Sequence, residues 1–162
     1  MKKFFILMLL VVVSIGGVYA QTDKGTSSIG LSLGYGFDSG PDNATIGLDY
    51  RYCILDNFRI APSLTYHIKD SGFSSWAIDA NAHYVFRIND MFGFYPLAGL
   101  NLSFWRFSLA GVSDTMTRFG VNIGLGGEVY ATDRINVGLE FKYLALKDFG
   151  RPALAVRVGY CF

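Results

Sequence analysis

The sequence is poor in charge. Lysine, arginine, aspartate and glutamate make up 17% of its 162 residues, against about 25% in an ordinary soluble domain. It has two histidines and two cysteines with no close spacing between them, which argues against a zinc centre, so no metal or cofactor is expected. Glycines recur in GLSLGYG and GVNIGLGG, but no helix follows and no Gly-Lys-Ser/Thr is present, so they are not phosphate loops. Long apolar runs are also scarce. Past the first twenty residues, none approaches the length of about 20 that a membrane-spanning helix requires.

Those first twenty residues, MKKFFILMLLVVVSIGGVYA, read as a secretory signal peptide. Lys2 and Lys3 form a positive start, 4–13 is the apolar stretch, and Val18 and Ala20 are small residues placed for cleavage. The expected organisation is therefore a leader over 1–20 and one mature domain over 21–162. Removing the leader takes away two lysines and leaves 12 basic against 13 acidic residues. That balance gives no basic footprint for nucleic acid.

What the chain does have is apolar and aromatic residues, 51% and 16% of the total, and 19 glycines. They alternate. Apolar side chains occupy every second position over 29–37, 44–54, 58–68, 76–88, 94–104, 119–131, 135–143 and 153–162. Such alternation marks strands with two unlike faces. The intervening face is small, polar or charged and rich in glycine. A water-exposed strand avoids glycine, whereas a narrow lumen needs it beside larger residues. Aromatic residues gather towards the segment ends, as in the interfacial girdles of membrane barrels. The fold class expected is all-β: an eight-stranded antiparallel up-and-down transmembrane β-barrel. Short Asp/Asn-containing turns follow segments two, four and six. The other connections are mostly longer, which places both mature termini in the periplasm. Pro62 and Pro96 fall inside segments and are expected to mark bulges.

The last residues, VRVGYCF, resemble the terminal recognition strand of Gram-negative outer-membrane barrels, with Val158, Tyr160 and Phe162 alternating to a final aromatic. Arg157 stands where that pattern usually has glycine. With eight segments and a leader, the chain resembles the small outer-membrane barrels of the outer-membrane protein A and X type. The resemblance implies insertion by the barrel-assembly machinery, contact with outer-membrane lipid, and a single-copy barrel. It leaves any extracellular ligand unnamed.

The lumen is expected to hold Asp49, Asp79, Glu128 and Glu140 with Arg51, Arg59, Arg87, Arg118, Lys142 and Arg157. Buried charges at this density should pair, and Glu140 is the expected partner of Arg157. The function expected is non-enzymatic: a plugged barrel serving envelope structure or surface contact. The alternatives are a porin-like narrow pore or a lipid-modifying enzyme. No catalytic residues are assigned, because Ser63 lies about 13 Å along the strand from His67, too far for proton transfer. Cys53 and Cys161 face inward about 9–10 Å apart across one strand. A disulfide wants less than about 7 Å, so both the free and the bridged state stay open.

Overall fold

The computed structural model describes residues 21–37, 44–70, 73–109, 112–146 and 150–162; the leader expected over 1–20 lies outside them. Nine hydrogen-bonded stretches follow one another: β1 (Ser27–Gly36), β2 (Ala44–Leu55), β3 (Phe58–Asp70), β4 (Phe73–Tyr84), β5 (Phe86–Arg87), β6 (Phe92–Leu109), β7 (Val112–Tyr130), β8 (Ile135–Leu146) and β9 (Gly150–Cys161). Apart from β4 and β5, sequence neighbours pair antiparallel, β1 pairs with β9, and β4 pairs with β6. The short β5 continues β4 past a break at Val85 and pairs with β6. The walls are therefore eight and the cylinder is closed, which removes every sheet edge within the barrel.

Burial follows the alternation, with polar residues inside and apolar residues outside. Along β2, Gly47, Asp49, Arg51 and Cys53 are buried while Ile46, Leu48, Tyr50 and Tyr52 are exposed. An exposed apolar face of this extent has no place in water and suits hydrocarbon. The aromatic girdles are also in place. Tyr52, Tyr84, Phe86, Phe94 and Phe162 lie towards the end that carries residues 21–26, here called the near end. Tyr35, Trp76 and Tyr143 lie towards the far end.

Two expectations fail locally. The prolines make no bulge: Pro62 pairs with Ala80 and Pro96 with Leu125 in unbroken register. Each is absorbed on its other side as missing rungs, with the same register resuming beyond, because proline lacks only the N–H. The register shifts lie instead between Cys53 and Leu55 and between His67 and Asp70. The second difference is length. β6 and β7 have 18 and 19 residues and stay paired to Leu109 and Val112, so the expected 108–113 connection is mostly strand. Alternation signals a strand where lipid demands it. Beyond the far rim the backbone pairing of the hairpin continues.

Candidate functional site: a packed polar lumen

The inward faces of β2, β3, β4, β6, β7 and β8 meet in the near half of the lumen. Glycines make the room. A Cβ on Gly126 would lie 2.6 Å from the Tyr95 hydroxyl, so the absence of a side chain there lets the Tyr95 ring lie across the lumen, wholly buried. His83 stacks on one side of that ring at 4.7 Å. The guanidinium groups of Arg59 and Arg51 lie over it at 4.6 and 5.3 Å, within cation–π range.

Glu128 binds both arginines. It accepts from Arg59 Nη1 at 2.9 Å and Nη2 at 2.8 Å, from Arg51 Nη1 at 3.2 Å, and from the Tyr130 hydroxyl at 2.8 Å. Arg51 also reaches Glu140 at 3.2 Å and Asp49 at 3.3 Å, and Tyr95 donates to Glu140 at 3.1 Å. Arg59 Nε donates to His83 Nδ1 at 3.2 Å. That bond needs a lone pair on Nδ1, so the ring is neutral with its proton on Nε2. Above this layer Asp79 accepts from Asn101 and Asn122 at 2.7 Å each and from Lys142 at 3.0 Å.

Arg157 has a different partner from the one expected. Its Nε donates to both oxygens of Asp49, at 2.7 and 2.9 Å, and its Nη2 to Ser28 at 3.3 Å. The β8–β9 register sets Gly138 opposite Arg157 and Ala155 opposite Glu140. Glu140 is thus left to Arg51, and Arg157 turns the other way. Gly30, between the strands of Arg157 and Asp49, carries no side chain where the guanidinium passes. The near end is closed further by Gln21, which donates to the Thr132 carbonyl at 2.6 Å and accepts from Asn136 at 2.8 Å. Cys53 and Cys161 are both free and buried, and Cys161 Sγ lies 3.2 Å from Gln21 Oε1.

Eight of the ten charged residues expected in the lumen therefore meet there. Arg87 does not. It is exposed near the turn after β5, 3.6 Å from Asp90, because the strand break at Val85 and the short β5 carry it past the packed layer. Arg118 stands half-buried at the far rim, with Nε 3.3 Å from Met116 Sδ. Sequence reasoning missed the hub, Tyr95. An inward tyrosine facing Gly126 was the available signal. It also missed the small apolar cluster that Val85 and Leu97 form with Tyr95 inside the lumen.

A family model described as outer membrane protein beta-barrel domain matches residues 5–162. The chain belongs to that family. Solved structures share its fold. The N-terminal barrel of OprF from Pseudomonas aeruginosa superposes with a TM-score of 0.75 at 18% identity, covering 86% of this chain and 98% of that one. Neisserial surface protein A gives 0.67 at 18%, covering 83% and 95%. Ail, the attachment invasion locus protein of Yersinia pestis, gives 0.64 at 22%, covering 86% and 99%. No curated protein matches the chain. This is a bacterial outer-membrane β-barrel, of the small eight-stranded kind. The lumen network described above is what its own residues add to that fold.

Proposed function

We propose that this barrel is a non-enzymatic, non-conducting protein of the outer membrane, acting in envelope structure or at the cell surface. The observation that carries the reading is Tyr95, fully buried between Arg51, Arg59 and His83. Side chains from six strands converge there and leave ions no straight path. Eight strands enclose a space that side chains just fill. Enzymatic chemistry has little support. His83 accepts from Arg59 rather than donating to a carboxylate, and the expected separation of Ser63 from His67 stands, since both lie on β3.

The near end, with both termini, faces the periplasm, and Val158, Tyr160 and Phe162 on the outer surface are read by the assembly machinery. The far end, with its tall β6–β7 hairpin, faces outward. This orientation suits a surface-contact role, and Ail, similar in fold, is described as an attachment protein. Planar-bilayer recording tests the plug: the barrel should give no steady single-channel steps, and reproducible steps would overturn it.

A further inference from the structure

The far half of the lumen is built differently from the near half. Above Tyr95 lies a cavity of about 90 Å³, large enough for a small molecule of several heavy atoms. Arg51 and His83 form its floor, and His67 and Arg151, each already engaged, stand towards its mouth.

Six of the charged groups around the cavity, from β2, β4, β8 and β9, form pairs. Lys142 pairs with Asp79, Arg51 with Glu140, and Arg157 with Asp49. Hydroxyls line the cavity from β1, β2 and β3. Ser32, Gly47 and Thr65 are in register across β1, β2 and β3. A Cβ on Gly47 would meet Ser32 Oγ at 2.5 Å and Thr65 Oγ1 at 3.5 Å, so two hydroxyls lean over one notch from opposite sides. Thr45 Oγ1 leans over Gly34 in the same way, at 2.6 Å. All three hydroxyls line the cavity, and among the described residues none has a protein partner.

We infer that this vestibule binds a small neutral polyol, admitted from the far end and stopped at the Arg51–His83 floor. An ion entering would shed its hydration among charges most of which already form pairs, at a cost those pairs do not repay. A hydroxyl both donates and accepts, so a triol can bond to the hydroxyls of Ser32, Thr45 and Thr65 in either sense. The inference rests on the plugged reading for its closed floor.

The test is a glycerol titration of the full barrel in lipid nanodiscs, followed by NMR at the Thr45 and Thr65 methyls and the Gly47 amide. Saturable shifts confined to those positions are expected. Chloride should produce none. Thr65→Val keeps the shape and removes one hydroxyl, and should weaken glycerol binding about threefold to tenfold. Gly47→Leu fills the notch and should abolish it. Linear shifts spread over the surface, or shifts unchanged by Thr65→Val, would overturn the site. Conductance of the same sample separates the two readings. Silent bilayers without saturable shifts remove the site alone, and steady steps with saturable shifts remove the plug alone.

Discussion

Replacing Glu128 with glutamine keeps its shape and removes its charge. The carboxylate has no exposed surface and accepts four hydrogen bonds, three of them from guanidinium groups. Glutamine leaves one acceptor oxygen and turns an NH₂ towards arginine donors. Losing one partner of a buried ion pair costs about 3–5 kcal/mol. Arg51 keeps Asp49 and Glu140, so the loss falls mainly on Arg59, which retains its bond to His83. Glu140→Gln is the internal comparison. Its carboxylate is 15% exposed and binds one arginine and one tyrosine, so about 1–2 kcal/mol is expected. Arg59→Met added to Glu128→Gln removes the stranded cation and should restore about half of the loss, since an apolar pair replaces a broken ionic one. Urea unfolding in lipid vesicles, followed by tryptophan fluorescence and by heat-dependent gel mobility, reads all four proteins. A Glu128→Gln cost below about 1 kcal/mol, or one no greater than that of Glu140→Gln, would refute the packed-hub reasoning.

Gly30→Val should destabilise by about 1–3 kcal/mol through collision with Arg157, and an Arg157→Ala background should relieve most of it, giving a non-additive cycle. Leu139→Arg, on the lipid face near mid-strand, should cost about 2–4 kcal/mol in the same unfolding assay. Native protein in detergent should resist thiol reagents, and the unreduced, denatured chain should titrate two thiols, because Cys53 and Cys161 are buried and free; fewer than two would show a bridge. Phe162→Ala should lower the heat-modifiable, assembled fraction in cells while leaving refolding into vesicles nearly unchanged. Equal losses in both would make Phe162 structural rather than a signal.

Most of the barrel was legible because lipid enforces alternation over each span. A single substitution of the wrong class on the outer face meets hydrocarbon, so the period is kept strictly from Ile29 to Phe37 and from Leu154 to Phe162. The inward charges were legible as a set for the same reason. Their pairing was not. It depends on register, and register depends on turn geometry and bulges that period alone does not encode. Glu140 was the expected partner of Arg157, but the β8–β9 register sets Gly138 opposite it and Gly30 opens the way to Asp49. Tyr95 was overlooked because an inward aromatic reads as an exception to a polar face. It is what the facing Gly126 accommodates. The upper parts of β6 and β7 were missed because beyond the membrane no solvent imposes a pattern on them.

Alanine methyl contacts with lipid test the inside-out arrangement most directly. The chain carries the same side chain on both faces: Ala80 and Ala98 are exposed outward, while Ala61 and Ala77 are buried inward at 3% each. In nanodiscs with protonated acyl chains, nuclear Overhauser transfer should reach the Ala80 and Ala98 methyls and leave Ala61 and Ala77 silent. Transfer to the second pair instead, or to neither, would contradict a barrel whose greasy face meets the bilayer.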